Sequence, residues 1–219
     1  MNNLLSGKSE KHLTTYIAHY KIHEKVLTPF KNLVKAAAEQ GFDLRVCSTF
    51  RSYEDQLKIW NLKATGQKTL FDDYGQTLEF NTLSEKEIVF SIMRWSALPG
   101  VSRHHWGTDM DVYDFSKVPK DYVIRLIPQE VDSGGMFAPL HEWLDDNMNE
   151  FKFFRPFAKD NGGIAPERWH LSYKPIADQL EAQIDYQFVL SLIENSPNLA
   201  LRKVVLDNLD EIYSRFIKL

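Results

Sequence analysis

The run Ser102-Arg103-His104-His105-Trp106-Gly107-Thr108-Asp109-Met110-Asp111 constrains this chain more than any other stretch. It sets two histidines and two carboxylates around a glycine, the residue that most easily lets a backbone reverse. Side chains alternate along an extended strand. With Asp109 to Tyr113 read as such a strand, Asp109 and Asp111 share one face, and a turn at Gly107 folds His104 back toward them. Imidazole and carboxylate are the ligands zinc takes where thiolate is lacking. Cys47 is the only cysteine, and one thiol builds neither a disulfide framework nor a Cys-rich zinc site. Its neighbours Leu44 and Val46 mark it as a small buried side chain rather than a nucleophile. Taken alone, a His-x6-Asp pair is more often structural or solvated than metal-binding. His105 reads either as a surface residue or as a group behind a ligand.

A second cluster, Pro166-Glu167-Arg168-Trp169-His170, places a carboxylate three residues before an imidazole. This is the Glu-x-x-His half of the helical zinc motif without its first histidine. Gly162-Gly163 before it and Leu171-Ser172-Tyr173 after it argue against helix. A turn entering a strand would set Glu167 beside a metal held by His170 without making it a ligand. That geometry suits a hydrolase, because zinc lowers the pKa of bound water to roughly 7 and a nearby carboxylate takes the proton.

The rest of the chain sets the frame. Its 219 residues suffice for one domain with a sizeable core, or one domain and an appendage. A formal charge of −4 supplies no basic field for nucleic acid, so a DNA or RNA partner is not expected. No run approaches the ~18 apolar residues of a membrane span. The first residues lack a basic segment followed by an apolar one, so the chain as it stands reads as soluble and cytoplasmic; a periplasmic or exported protein trimmed of its leader would read the same way.

Apolar spacing predicts a helix over Thr15 to Gln40, broken or kinked at Pro29 and ended by Gly41. A strand follows over Asp43 to Thr49, then a helix capped by Ser52. A loop spans Thr65 to Asn81. Ser84 and Glu87 form a capping box for a helix through Trp95, and Leu98-Pro99-Gly100 breaks it. Pro128 to Gly135 reads as a loop, Pro139 to Asn149 as a helix and Arg168 to Tyr173 as a strand. Ile176 to Asn195 and Leu199 to Leu219 read as two amphipathic helices without metal ligands, expected to pack on the domain, with a partner-binding surface as the alternative.

Together these segments resemble the VanY-type D-alanyl-D-alanine carboxypeptidases, part of the wider group of LAS metallopeptidases. Ser102, His104, Gly107 and Asp111 match the family's Ser-x-His-x-x-Gly-x-Ala-x-Asp motif, and Glu167, Trp169 and His170 match its Glu-x-Trp-His motif. Upstream, Ser48-Thr49-Phe50-Arg51-Ser52 with Gln56 looks like its Gly-Tyr-Arg-Ser element with a trailing Gln. The order and separations fit as well, over about residues 40 to 175. One departure stands out: Asp109 occupies the position of a small residue. It is expected to orient His104 or another ligand, or to compete as a ligand itself.

The resemblance implies an α+β domain of the hedgehog/DD-peptidase type over residues 1–175. A small antiparallel sheet carries flanking helices, and a C-terminal helical extension covers residues 176–219. It implies one Zn2+ per chain held by His104, Asp111 and His170, with Glu167 as general base and Arg51 stabilising the oxyanion. Gln56, Ser102 and Ser48 are expected substrate contacts. The implied substrate is a peptidoglycan stem peptide or its precursor, with release of D-alanine the leading reaction. An L,D-carboxypeptidase, a D,D-dipeptidase, an endopeptidase of the same group, and a non-catalytic zinc-containing binding module are the alternatives. Glu167 and Arg51 together argue against the last, since a purely structural zinc site needs neither.

Overall fold

The computed structural model describes residues 2–218. It opens with an antiparallel hairpin of β1 (Leu13–Ile17) and β2 (Tyr20–His23). The helix expected from Thr15 therefore starts only at α1 (Leu27–Glu39). Thr14, Thr15, Tyr16, Ile17, Tyr20 and Ile22 are β-branched or aromatic residues that suit a pleated, half-buried surface, and this outweighs their chance helical spacing. Pro29 lies in the first turn of α1, where its missing N–H has no intrahelical acceptor to lose, so it does not break the helix.

Local signals place the next elements. After β3 (Leu44–Ser48), Ser52 caps α2 (Tyr53–Ala64) by accepting from the Asp55 amide at 3.1 Å. Ser84 and Glu87 form the full capping box of α3 (Glu85–Trp95). A 3-10 turn over Arg103–Trp106 ends at Gly107, whose φ of 67° lies in the left-handed region, and leads into β4 (Asp109–Asp114). The expected loop at Pro128 contains a short helix, α4 (Pro128–Val131), because proline at the first helical position is already set for the turn. Then come α5 (Ala138–Asn147), β5 (Phe153–Phe154) and β6 (His170–Tyr173).

The two C-terminal helices expected from the sequence are each divided. α6 (Lys174–Glu181) stops before Asp185, which caps α7 (Tyr186–Glu194) by accepting from the Phe188 amide at 2.7 Å. α8 (Arg202–Asp207) and α9 (Leu209–Ile212) meet at Asn208, and a π-helical turn over Tyr213–Ile217 follows. Among the described residues no helix is long and apolar enough to cross a membrane.

Four strands form one antiparallel sheet in the order β3-β4-β6-β5. Alternation sorts its two faces. Val46, Met110, Val112 and Leu171 join Phe30, Leu33 and Ala37 of α1 and Leu140 and Leu144 of α5 in an apolar core. The opposite face carries Asp109, Asp111, His170 and Ser172. A second core gathers Trp60 of α2, Val89 and Ile92 of α3, and Leu192, Val205 and Ile212 of the C-terminal helices. The polar face of the sheet is thus backed by one core and flanked by another.

Candidate active site

The register of the sheet brings the two motif clusters together. β4 and β6 pair with Asp111 opposite His170 and Asp109 opposite Ser172. The turn at Gly107 returns His104 to the same face, as its spacing implied. One donor atom each from His104, Asp111 and His170 lie within 4.8 Å of one another, all three residues being buried.

Each imidazole is fixed from behind. His104 donates through Nδ1 to the Thr49 carbonyl at 2.8 Å, which leaves Nε2 facing Asp111 Oδ2 at 3.4 Å. His170 uses Nε2 toward Asp109 Oδ1 at 2.8 Å, which turns Nδ1 toward Asp111 Oδ1 and Glu167 Oε2, each at 3.3 Å. Asp111 Oδ1 and His170 Nδ1 are buried yet have no hydrogen-bond partner. A buried carboxylate oxygen and a buried imidazole nitrogen that face each other in this way need a positive charge between them, a proton or a metal cation. In a tetrahedral zinc site with bonds of about 2.0–2.1 Å, neighbouring ligand atoms stand about 3.3 Å apart; here His170 Nδ1 lies 3.3 Å from Asp111 Oδ1 and His104 Nε2 3.4 Å from Asp111 Oδ2, and one donor atom from each residue falls within 4.8 Å of the others. The donor set of two imidazoles and one carboxylate fits zinc.

Electrostatics point the same way. Burial pulls the His170 pKa down, but the carboxylates of Asp109, Asp111 and Glu167 outweigh it and hold it well above the usual value. So many carboxylates around one imidazole call for a positive charge. Burial lowers His104 to about 4 despite the attraction of Asp111, keeping it neutral and able to ligate. Burial raises the Glu167 carboxyl above its ordinary value, with His170 opposing only in part.

Asp109 proves to be the partner of His170 rather than of His104. Burial would push its pKa up, but the Arg103 guanidinium, His170 and Thr108 hold it well below the usual range. Arg103 donates to Asp109 Oδ1 at 2.9 Å and to Ser172 Oγ at 2.9 Å, and pairs with Glu181 of α6 at 3.0 Å. Thr108 and Ser172 donate to Asp109 Oδ2 at 2.5 and 3.0 Å. Sequence reasoning did not single out Arg103. The signal was available, since a buried carboxylate at Asp109 needs a countercharge and Arg103 is the nearest cation in the run.

His105 is wholly buried, so its surface reading is corrected. It donates through Nδ1 to the Arg51 carbonyl at 2.6 Å and accepts the Gly100 amide at Nε2, 2.9 Å away. The imidazole thereby anchors the backbone of Arg51. The Arg51 side chain is held in turn by Gln56 Oε1 at 2.8 Å and Ser48 Oγ at 3.1 Å. Gln56 is fully buried and spends its amide nitrogen on the Ala97 carbonyl at 2.7 Å. Gln56 and Ser48, expected to touch substrate, thus stand behind Arg51. Ser102 does line the cleft. Cys47 is half-buried, with its thiol against the Asp111 carbonyl at 3.5 Å, and burial raises its pKa far above the reactive range.

The cluster opens into a cleft of about 830 Å3, lined by Arg51, His104, Asp111, Glu167 and His170 and walled by two loops. Phe71, Tyr74 and Gly75 form one wall, tied down where Trp95 donates to the Asp72 carbonyl at 3.0 Å and Arg94 pairs with Asp73 at 3.1 Å. Arg125, Leu126 and Ile127 form the other. The buried Glu130 carboxylate organises that wall by accepting from Tyr122 Oη and from the Arg125 and Leu126 amides at 2.6 to 2.9 Å.

This fold is similar to that of a VanY D,D-pentapeptidase variant from a VanB-type resistance cassette in complex with Zn(II). That likeness has 20% identity and a TM-score of 0.54 over 80% of this chain and 88% of that one. VanYB in complex with D-alanine-D-alanine gives 20% and 0.54 over 82% and 87%. The LD-carboxypeptidase LdcB gives 19% and 0.51 over 92% and 72%. In sequence the chain is 32% identical over 122 residues to an uncharacterized protein of Haemophilus influenzae, covering 55% of this chain and 92% of that protein. A second uncharacterized Haemophilus influenzae protein is 37% identical over 99 residues, or 43% and 68%. The family model for VanY, D-alanyl-D-alanine carboxypeptidase, matches residues 19–176, and the sheet, the three motifs and their separations lie within that span; the chain belongs to the VanY family.

Proposed function

We propose that this protein is a zinc-dependent peptidase that removes the terminal D-alanine from peptidoglycan stem peptides ending in D-Ala-D-Ala, with one Zn2+ per chain. His104 Nε2, Asp111 and His170 Nδ1 hold the metal. The observation that carries the reading is the pair of buried, partnerless donors, Asp111 Oδ1 and His170 Nδ1, set beside Glu167 in an open cleft.

Bound zinc supplies Lewis acidity and lowers the pKa of a water to roughly 7. Glu167 takes the proton of the attacking water and returns it to the departing amine. Its raised pKa suits a group that must both accept and give back a proton near neutrality. Arg51, held by Gln56, Ser48 and the His105 clamp on its backbone, presents a fixed guanidinium to the carbonyl oxygen as charge develops there. Asp109 keeps the His170 ring in one orientation and one tautomer.

The test is mass spectrometry of products from zinc-loaded protein given stem peptides ending in D-Ala-D-Ala, ending in a single D-Ala, or cross-linked internally. Loss of one alanine from the first substrate alone is expected. Glu167→Ala is expected to retain stoichiometric zinc and lose ~10²-fold or more in turnover; full activity in that variant would overturn the assignment of the base.

A further inference from the structure

A carboxypeptidase must tell a chain end from a chain interior. The chemical difference is one negative charge, and recognising it takes a cation that an amide leaves unsatisfied. Three cations outside the motifs line the cleft: Lys63, Lys68 and Arg125. Lys68 and Arg125 are exposed and keep their hydration whether or not a ligand is present, so they discriminate weakly. Lys63 differs. It lies in the last turn of α2 and is partly buried, and its one hydrogen bond runs to Ser96 Oγ at 3.0 Å. Among the described residues no carboxylate forms an ion pair with it. Gln56, which holds Arg51, lies seven residues earlier in α2, so the two side chains share one helix face.

We infer that Lys63 is the specificity-determining residue that binds the terminal carboxylate of the peptide, with α2 setting its register against Arg51. This rests on the peptidase reading above. Burial, joined by repulsion from Lys68 and Arg51 and opposed only in part by the Glu167 carboxylate, lowers the Lys63 pKa to about 8, so the ammonium is charged at neutral pH but poorly solvated. An arriving carboxylate restores what burial removed. An amide or a continuing chain leaves the ammonium unpaired and displaces whatever water reaches it. Ser96 orients the head group without neutralising it.

The experiment is calorimetric binding to zinc-loaded Glu167→Gln protein, so that turnover does not intervene. The ligands are a stem peptide ending in D-Ala-D-Ala and the same peptide as its C-terminal amide. The parent is expected to prefer the acid by about 10- to 100-fold, the range for a hydrogen bond to a charged group. Adding Lys63→Met is expected to abolish that preference, and Lys63→Arg to keep most of it. Lys63→Met should melt no lower than the parent, since it replaces a desolvated charge with an apolar chain of similar length, and a melting curve checks this. Equal binding of acid and amide by the parent, or an unchanged preference in folded Lys63→Met protein, overturns the carboxylate role and leaves the peptidase reading standing. Failure of the parent to bind either peptide overturns both.

Discussion

Asp109 shows how much one side chain can reorganise. It faces the site because β4 alternates, and it displaces nothing because Thr108, Ser172 and Arg103 satisfy both of its oxygens. It contacts His170 Nε2, which leaves Nδ1 directed at Asp111 and Glu167 and, in the proposed zinc enzyme, free to ligate. Partners of this kind are worth ~10- to 100-fold in metal affinity. Asp109→Asn is therefore expected to weaken zinc binding by about that factor in chelator competition, and to alter the visible spectrum of the cobalt-substituted protein; unchanged affinity would remove Asp109 from the metal assembly. The pattern around this residue was partly legible. The shared face of Asp109 and Asp111 follows from alternation alone. The choice of His170 over His104 as partner does not, because it depends on the pairing of β4 with β6.

At the scale of elements, the turn at Gly107 does the most. Its left-handed φ lets the 3-10 turn bearing His104 meet β4, and its carbonyl accepts the His23 amide of the N-terminal hairpin at 2.8 Å. A Cβ there would stand 2.6 Å from Leu13 Cδ2 and 2.7 Å from the His23 amide nitrogen. Gly107→Ala is expected to cost roughly 2–4 kcal/mol in urea unfolding, from backbone strain plus a contact that backbone atoms cannot relieve. Gly41 has a φ of 87° with nothing within 4 Å of an added Cβ. Gly41→Ala should thus cost only the strain, about 1 kcal/mol, and equal losses at the two sites would refute the packing argument. The same contact explains why this segment is a hairpin where its spacing predicts a helix. Thr15 to Ile22 carry apolar residues at both spacings, and the hairpin wins when β2 docks against the Gly107 turn.

For the whole molecule, the C-terminal helices share a core with α2 and α3. Trp60 donates to the Ala200 carbonyl at 3.0 Å, and Tyr53 Oη meets Ser196 Oγ at 2.6 Å. We propose that residues 176–218 act as an extension that braces α2, and with it Gln56 and Lys63. Leu192 is 1% exposed at the centre of this core. Leu192→Ala is expected to cost about 3 kcal/mol and to speed hydrogen exchange in α2 as well as α7; faster exchange confined to residues past 176 would separate the two units. Acid should destabilise the whole fold. His23 is held near 4 by burial and the neighbouring His12, and His141 near 3 by burial and the Arg155 charge. The unfolded chain takes up these protons below about pH 6.5, whereas the native state does not. Stability is therefore expected to fall as pH drops from 6.5 toward 4, at up to roughly 3 kcal/mol per pH unit for the pair, in chemical unfolding followed across that range.

What the sequence determined by itself is what a few adjacent residues can encode. Ser52 and Ser84 start their helices because capping is a contact over three residues. Met110 and Val112 separate from Asp109 and Asp111 because a strand alternates, and Glu167 stands near His170 because a turn joins them. The three ordered motifs carried the family for the same reason. The tertiary structure decided everything that depends on distant partners. It paired Asp109 with His170, placed Gln56 and Ser48 behind Arg51, buried His105 under the Arg51 backbone, set Lys63 in the cleft and drew Ala200 onto Trp60 across 140 residues of chain. These outcomes follow from which faces pack together, and packing is settled by the shape and burial of the whole chain rather than by any one segment of it.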